Sequence, residues 1–455
     1  MTEHTRDSQA PEPDASARDS PRSGPDDPLV VVEGLRTYYD DDRLIGGSPV
    51  KAVDGVSFAV GRGETLGIVG ESGCGKTTLA RSLLRLEEID GGTVSFDGTD
   101  VTSLGKRELK RWRQNAQMVY QDPTTSINER LTVGKIVREP LEVHGWKTPE
   151  SRRRRVTELL DLVGLRSEHY HRYPHQFSGG QRQRIGIARA LALEPEFLVL
   201  DEPVSALDVS VQAKILNLLA DLQDELGLTY LLIAHDLSVV RHVCDRVAVM
   251  YLGKLMEVSP TERLFRDPAN PYTRSLLSAI PVPDPSAGTD RITLRGTPPS
   301  PRDPPSGCVF STRCPFEIHN PVYNELSDQQ RAQIERFREA IRDRAAETVF
   351  GRLGKRVRGD RPTPAGELVE ELFARSEYPP SVTETLEEAA SLVADGEVGA
   401  AHSLLEAEFA TVCETETPEE YAVDEGQYSR CHRHRQEYDE PDQAREGAER
   451  FSSRR

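Results

Sequence analysis

The sequence predicts an α/β fold with a buried, mainly parallel β-sheet, followed by a mainly helical C-terminal extension. Two observations lead to this prediction. From about residue 29 to residue 265, short β-branched runs alternate with helical patterns, as in layered α/β domains. Three of the runs are continuously apolar, at residues 65–69, 197–200 and 229–234. Such runs are typical of strands that are covered on both faces.

Composition divides the chain into four segments. Residues 1–28 are rich in Asp, Pro, Ser and Arg and are predicted to be a disordered tail. Residues 29–265 form the predicted α/β domain. Residues 266–307 include a Pro-rich stretch from Pro281 to Pro305, which predicts an extended linker. Residues 308–455 form a cysteine-containing C-terminal domain.

Helical periodicity dominates the residues after the linker. A capping box, Ser327 with Gln330, predicts a helix start. One face of that helix is predicted to carry Ile334, Phe337, Ile341, Ala345 and Val349. Two further helical patterns follow, one with Leu368, Leu372 and Phe373, the other with Leu386, Val393, Leu404 and Leu405.

Composition also limits the function. The net charge is −18 and the sequence pI about 5.2, which argues against general nucleic-acid binding. Of the 57 basic residues only nine are Lys, which indicates either an ordinary acidic protein or one adapted to high salt. The sequence has no apolar run of eighteen residues and no signal peptide at its start. We therefore expect any membrane association to come through a partner.

A glycine-rich loop supplies the first functional motif. Residues 70–77, Gly-Glu-Ser-Gly-Cys-Gly-Lys-Thr, match G-x-x-x-x-G-K-[ST] and stand between a predicted strand and a helical run. Such a loop turns backbone N–H groups inward around phosphate oxygens, at the positive end of a helix. Lys76 is placed to contact the β- and γ-phosphates, and the Thr77 hydroxyl to ligate Mg²⁺. The predicted ATP-binding residues of the loop are Ser72, Gly73, Cys74, Gly75, Lys76, Thr77 and Thr78.

Two adjacent carboxylates end the second apolar strand. Asp201 follows Leu200, and Glu202 comes next. A carboxylate at a strand end beside a phosphate loop can hold Mg²⁺, and its neighbour can deprotonate the attacking water. The sequence therefore predicts Asp201 as a magnesium ligand and Glu202 as a catalytic base.

A third motif goes beyond a generic ATPase. Ser178, Gly179, Gly180 and Gln181 follow Phe177 and open a helical run. This sequence resembles the signature of the ABC ATPase family. The resemblance implies an ABC-type core with an antiparallel β subdomain and a helical subdomain, the latter at about residues 122–177. It also implies that the signature contacts the ATP of a second subunit, as a serine and glycines at a helix start can.

The same resemblance assigns roles to other positions. It makes Gln121 a sensor of Mg²⁺ and water, His235 a contact of the γ-phosphate, and residues 205–208, with Ser205 and Asp208, the loop at the dimer interface. It also expects an aromatic residue that stacks on adenine. Tyr39 fits that position best, and the adjacent Tyr38 and an ordinary packing role for Tyr39 remain open.

Several segments are most similar to the ATPase subunits of dipeptide, oligopeptide and nickel importers. They include residues 52–57, 173–177, 203–212, 270–273, 304–308 and 313–315. The resemblance implies a peripheral subunit at the cytoplasmic face of the membrane. Its partners would be two permeases, a second ATPase that is identical or related, and indirectly an extracellular binding protein. A nickel or other solute importer, a soluble ABC ATPase of translation or DNA repair, and a module that binds ATP without turnover are the alternatives.

Four of the six cysteines lie in the last third of the chain: Cys308, Cys314, Cys413 and Cys431. The family commonly carries four cysteines in its C-terminal region, with the third soon after the second. Here Cys413 and the residues after it resemble the family's third cysteine and its flanking sequence, which predicts a helical insertion at about residues 320–410. The hypothesis is one structural metal centre, a [4Fe-4S] cluster or Zn²⁺. The alternative is four unrelated reduced thiols.

Overall fold

The structure is a computed structural model that divides into two compact units. It describes residues 25, 27–40, 48–122, 127–280, 292–294, 296–318, 320–346 and 378–438. The first unit comprises residues 1–291, 297–304 and 421–430, and the second comprises residues 292–296, 305–420 and 431–455. The predictions for residues 1–24, 281–291 and 347–377 lie outside the described residues.

The strands belong to the first unit and, within the described residues, form two sheets. They are β1 (Pro28–Tyr39), β2 (Val50–Gly61), β3 (Thr65–Val69), β4 (Gly91–Phe96), β5 (Thr99–Asp100), β6 (Ala116–Val119), β7 (Phe197–Asp201), β8 (Thr229–Ile233), β9 (Arg246–Tyr251), β10 (Lys254–Pro260), β11 (Tyr421–Asp424) and β12 (Gln427–Ser429). The smaller sheet has the order β2-β1-β4-β5 and is antiparallel. The larger sheet has the order β11-β12-β10-β9-β3-β8-β7-β6.

The helices of the first unit cover the larger sheet and build the helical subdomain. They are α1 (Lys76–Leu83), α2 (Lys106–Trp112), α3 (Val133–Val143), α4 (Pro149–Leu162), α5 (Gly179–Ala190), α6 (Val209–Leu226), α7 (Leu237–Val243), α8 (Thr261–Arg266) and α9 (Pro271–Ser278). The second unit contains α10 (Asp328–Ala346), α11 (Pro380–Ala394), α12 (Val398–Phe409) and α13 (Val412–Thr415).

The predicted fold class is confirmed. All residues of β3, β7 and β8 are buried, and β3, β8, β7 and β6 pair in parallel, as the continuous apolar runs predict. One core packs apolar side chains of the antiparallel sheet against the larger sheet and α1, with Leu35, Leu66, Leu79 and Leu231 fully buried. Burial of this size is the main source of stability for such a domain.

The C-terminal helices have a core of their own. The Ser327–Gln330 capping box forms, since the Ser327 N–H donates to Gln330 Oε1 (2.6 Å). The predicted face buries Ile334, Phe337 and Ile341. These side chains pack with apolar residues of α11 and α12, among them Leu386, Val393, Leu405 and Phe409.

Residues 421–430 return to the first unit, although the sequence groups them with the C-terminal domain. They form the β11–β12 hairpin, in which β12 pairs with β10 through Glu257↔Ser429 and Val258↔Tyr428. A strand of three residues gives too short an alternation to be recognised in sequence. Among the described helices, none is both long and apolar enough to cross a bilayer.

Candidate functional site

The glycine-rich loop lies at the carboxyl end of β3 and leads into α1. Gly75 caps the helix with φ +108°, a conformation that favours glycine. A side chain at this position would overlap the Ala52 carbonyl oxygen. Gly75 therefore packs directly against the backbone of β2 in the antiparallel sheet. The first N–H groups of α1 follow at the end of the loop.

Lys76 lies inside this loop. It is 7 % exposed, and its ammonium donates to the carbonyl oxygens of Gly70 and Glu71, both at 2.9 Å. The thiol of Cys74 lies 3.8 Å from the same nitrogen, and burial raises the pKa of that thiol. The loop thus concentrates positive charge and backbone donors at one point, which suits a polyphosphate.

Thr77 and Asp201 meet beside the loop. The Thr77 hydroxyl donates to Asp201 Oδ1 (3.3 Å), and Asp201 is buried at the end of β7. Burial is the main reason that the pKa of Asp201 is raised, and the neighbouring Glu202 carboxylate raises it further. A hydroxyl and a carboxylate, both oxygen donors, fit Mg²⁺.

Glu202, Gln121 and His235 form a second cluster next to this pair. Gln121 Nε2 donates to Glu202 Oε2 (2.8 Å), and His235 Nδ1 lies 3.1 Å from the same oxygen. The three residues follow β7, β6 and β8, which are neighbours in the sheet, so the carboxyl ends of these strands bring them together. Glu202 has φ +46°, a strained conformation of the kind that concentrates at functional sites.

The two candidate tyrosines, Tyr38 and Tyr39, have different surroundings. The Tyr38 hydroxyl donates to Asp54 Oδ1 (2.7 Å), and burial together with this carboxylate raises the pKa of Tyr38 to about 12. Tyr39 is 38 % exposed and its hydroxyl contacts Thr78 Oγ1 (3.4 Å). Tyr39 is therefore exposed beside the glycine-rich loop, whereas the hydroxyl of Tyr38 is bound to Asp54.

The Ser-Gly-Gly-Gln segment begins α5 on the surface. Ser178 caps the helix: its N–H donates to Gln181 Oε1 (3.1 Å), and its hydroxyl accepts from the Gln181 N–H (3.4 Å). A side chain at Gly180 would overlap Val211, and one at Gly179 would touch Leu207. Gly180 therefore lies close to the start of α6, and Gly179 lies close to the loop before it.

The loop before α6 is ordered by its own polar groups. The Ser205 hydroxyl donates to the Glu202 carbonyl (3.1 Å). Asp208 caps α6 and accepts from Ser210 Oγ (2.7 Å) and the Val211 N–H (3.1 Å), and the Ser210 hydrogen bond is the main cause of its lowered pKa. Ser205 thus ties this loop to the Glu202 backbone.

Comparison with known proteins identifies the family. The ABC transporter model matches residues 53–205, and the model of the oligopeptide/dipeptide transporter C-terminal region matches residues 256–320. A putative peptide import ATP-binding protein of Brucella ovis is 54 % identical over 291 residues, which cover 64 % of this chain and 90 % of that protein. This chain belongs to the ATP-binding proteins of ABC transporters. It is therefore an ATPase of the ABC type, as the sequence predicts.

Other known proteins and one further family model are similar to parts of this ABC ATPase. The oligopeptide transport ATP-binding protein AppF of Bacillus subtilis is 53 % identical over 64 % of this chain and 87 % of that protein. The cbiO1 protein of Clostridium perfringens, part of the cbiONQ ABC transporter complex, is 29 % identical over 53 % of this chain and 92 % of its own, with a TM-score of 0.47. A domain of unknown function, DUF8228, matches residues 329–426.

The four C-terminal cysteines of this ABC ATPase lie together in the second unit, but their described side chains do not form a metal site there. None of these four described cysteines forms a disulfide bond, and the Cys308 N–H donates to the Cys413 carbonyl (2.7 Å). Burial raises the pKa of Cys308 and of Cys413 to about 12, and it raises the pKa of Cys314 well above its usual value. In the part of the chain that the structure describes, no group of three or more His, Cys, Asp or Glu is placed to hold a metal ion.

Tyr272 is a contact of the ATP site that the sequence does not reveal. The sequence marks residues 270–273 only as similar to peptide importers, yet the Tyr272 hydroxyl accepts from the Glu71 N–H of the phosphate loop (3.1 Å). Nothing in the periodicity of α9 indicates which buried group its tyrosine meets.

The raised pKa of Asp201 gives a prediction about stability. Because the folded pKa lies above the unfolded one, the ionised carboxylate costs folding free energy at neutral pH, and this cost is lost as the pH falls through both values. Asp201→Asn removes the charge and keeps an oxygen that can accept from Thr77. We expect thermal unfolding without nucleotide to show a higher midpoint for the variant near pH 7, with a gain that shrinks toward about pH 4.

Asp208→Asn is the matched control for this prediction. The pKa of Asp208 is lowered in the fold, so neutralising it is not expected to raise the midpoint, and Asn caps a helix as well as Asp does. A lower midpoint for Asp201→Asn than for wild type near pH 7 would contradict the stated cause of the Asp201 shift.

Proposed function

We propose that this ABC ATPase drives an importer of dipeptides or oligopeptides at the cytoplasmic face of the membrane. The observation that supports ATP hydrolysis is that Gln121, Glu202 and His235 lie together beside the Thr77–Asp201 pair. Support for a peptide cargo comes from the C-terminal region model at residues 256–320 and from the peptide import names of the relatives.

The proposed hydrolysis uses groups that already lie together. Lys76 and the loop N–H groups bind the phosphates, and Thr77 and Asp201 would hold Mg²⁺, which neutralises phosphate charge when bound. Glu202 accepts a proton from the attacking water. Gln121 and His235, both at the Glu202 carboxylate, orient that water and the γ-phosphate.

The second half of each site is proposed to come from a second ATPase, identical or related. Ser178 and Gly179 are exposed at the start of α5, where a helix N-terminus and a hydroxyl favour an anion. Asp208 and Ser205 lie in the neighbouring loop that would cross the interface. Closure of the two subunits around ATP then joins the two halves.

Two permeases are the proposed membrane partners. A cavity of about 160 Å³ lies where β6 ends beside α5, lined among others by Tyr120, Ile127, Pro140 and Gln183. One of its lining residues, Tyr120, directly precedes Gln121 in the sequence. The cavity opens between the larger sheet and the helical subdomain. A permease segment in this cavity would couple ATP binding at Gln121 to movement of the membrane domains.

Reconstitution with permease subunits of the peptide importer class tests the proposal. We expect the assembled complex in proteoliposomes to hydrolyse ATP faster when its binding protein is loaded with peptide, and not with nickel. Stimulation by nickel would favour the nickel importer. Failure to copurify with any permease would favour a soluble ABC ATPase. Turnover no greater than that of Glu202→Gln would indicate ATP binding without hydrolysis.

We also propose that Cys308, Cys314, Cys413 and Cys431 bind one metal centre, a [4Fe-4S] cluster or Zn²⁺, with a structural role. In support, all four lie in the second unit, and the backbones of Cys308 and Cys413 are hydrogen-bonded. The thiols would have to rearrange and deprotonate, because metals bind the thiolate. Metal analysis and an absorbance scan of anaerobically purified protein test this, and stoichiometric absence of both iron and zinc would refute it.

The proposed segment boundaries are those given by the sequence, with a helical insertion at about residues 320–410, except that residues 421–430 belong to the first unit. The match to DUF8228 at residues 329–426 overlaps this range and supports an inserted module. Deleting the insertion while keeping all four cysteines should leave ATP turnover measurable. Complete loss of folding would contradict a separate module.

Adaptation to high salt is a further proposal, supported by the net charge of −18 and the scarcity of Lys. Dense carboxylates repel one another when they are not screened. We expect the unfolding midpoint to rise as KCl is increased from about 0.1 M to about 2 M. A midpoint that does not change would indicate an ordinary acidic protein.

A further inference from the structure

A buried tyrosine of α9 contacts the phosphate loop. Tyr272 is fully buried (0 % exposed), and its hydroxyl oxygen accepts from the N–H of Glu71 (3.1 Å). Glu71 is the second residue of the loop, and Tyr272 lies far along the chain, in the segment matched by the oligopeptide/dipeptide C-terminal region model. A segment outside the matched ABC domain therefore reaches the ATP site.

This hydrogen bond and the Lys76 side chain hold opposite ends of one peptide group. The Glu71 N–H and the Gly70 carbonyl belong to the same planar unit. Tyr272 binds the N–H, and the Lys76 ammonium binds the carbonyl oxygen (2.9 Å). Because the unit is rigid, a rotation that follows loss of the tyrosine hydroxyl also moves the oxygen to which Lys76 is bound.

Tyr272 is itself firmly placed. Its ring packs against Tyr251, with centroids 4.7 Å apart, and its N–H donates to the capping Asn270 Oδ1 (3.0 Å). The buried Glu257 carboxylate accepts from the N–H groups of Ala269 and Asn270, both at 2.9 Å. These contacts fix the start of α9 against β10.

The returning hairpin joins the same network. Asn270 Nδ2 donates to Met256 O (3.0 Å), Ser429 Oγ (3.3 Å) and Arg430 O (3.1 Å). Gln427 Nε2 donates to Glu257 Oε1 (3.0 Å). The β11–β12 hairpin is thus hydrogen-bonded to Asn270 and Glu257, the two residues that position the start of α9 and Tyr272.

We propose that Tyr272 is a positioning residue for ATP binding: its hydroxyl fixes the Gly70–Glu71 peptide and, through it, Lys76. The C-terminal segment of this ABC ATPase thereby sets the affinity of the phosphate loop. The inference rests on ATP binding at this loop, as the proposed function does.

Tyr272→Phe tests the proposal in the assembled transporter, because it removes the hydroxyl and keeps the ring. Loss of one such hydrogen bond is expected to raise the KM for ATP by about three- to tenfold. The kcat should stay within about twofold, since Glu202, Gln121 and His235 are untouched. Hydrogen exchange should also become faster in a peptide that covers residues 70–76.

Tyr230→Phe is the matched control. Tyr230 is equally buried, and its hydroxyl donates to the Leu219 carbonyl of α6 (2.9 Å). This variant also loses one hydrogen bond between a buried tyrosine hydroxyl and the backbone, yet its KM for ATP and the exchange of residues 70–76 should match wild type. A KM within twofold of wild type for Tyr272→Phe, or an equal rise in both variants, would overturn the proposal. Absence of turnover in wild type would instead contradict the proposed function.

Discussion

Replacing Glu202 with Gln is expected to lower steady-state ATP turnover by about 10²–10³-fold, because an amide cannot take the proton of the attacking water. The change is nearly isosteric, so the contacts with Gln121 and His235 can be kept. ATP affinity should be unchanged or higher, since one negative charge beside the γ-phosphate is removed. Phosphate release and nucleotide titration on the same preparation measure the two effects separately.

Glu194→Gln is a control of the same chemistry. Glu194 is also a glutamate in the left-handed region, with φ +59°, but its side chain is 59 % exposed and pairs with Arg155 (3.6 Å). Loss of this ion pair should leave ATP turnover within about twofold of wild type, because exposed ion pairs contribute little to stability. If Glu202→Gln retained more than a tenth of wild-type turnover, Glu202 would not be the base.

The local motifs of the site could be predicted because each occupies one strand–loop–helix unit. Residues 70–77 need only the end of β3 and the start of α1 to form a phosphate cradle. Asp201 and Glu202 likewise need only the end of β7. In both cases the glycine pattern or the acidic pair carries the chemistry without any distant contact.

The meeting of Gln121, Glu202 and His235 depends on sheet order, which the sequence does not state. Each follows an apolar run, but only the neighbouring positions of β6, β7 and β8 bring their side chains to one place. The family resemblance assigns the roles of the three residues. Physical reasoning from the residues alone predicts the strands before Glu202 and His235 and leaves their arrangement open.

Contacts between segments far apart in sequence could not be predicted. The β11–β12 hairpin pairs with β10 over only two described residue pairs, and Tyr272 shows no pattern that identifies Glu71 as its partner. For the four C-terminal cysteines, the family resemblance implies a metal site, whereas the described side chains form none. Local chemistry can be predicted from sequence, whereas long-range pairing needs the structure.

Replacing Ser178 with Asp is expected to lower ATP turnover by about 100-fold or more. ATP binding by the isolated chain should not be weakened. Asp caps a helix as well as Ser does, so α5 should persist. Its charge, however, would face the γ-phosphate of a partner subunit, at a position where a lost donor alone costs about 10²-fold. Lys76→Ala is expected to show the opposite pattern, in which the isolated chain itself no longer binds ATP.

Thr148→Asp controls for the effects of a changed helix cap and an added charge. Thr148 caps α4, and its hydroxyl accepts from the Ser151 N–H (3.2 Å), so the substitution places the same new carboxylate on a comparable helix start. Its turnover and ATP affinity should match wild type. If Ser178→Asp lowered ATP affinity of the isolated chain as Lys76→Ala does, the signature would serve its own phosphate loop and the shared site would be wrong. An unchanged affinity with lost turnover is the result expected when Ser178 acts on nucleotide bound by another subunit, because within this chain Ser178 is hydrogen-bonded to Gln181 of its own helix.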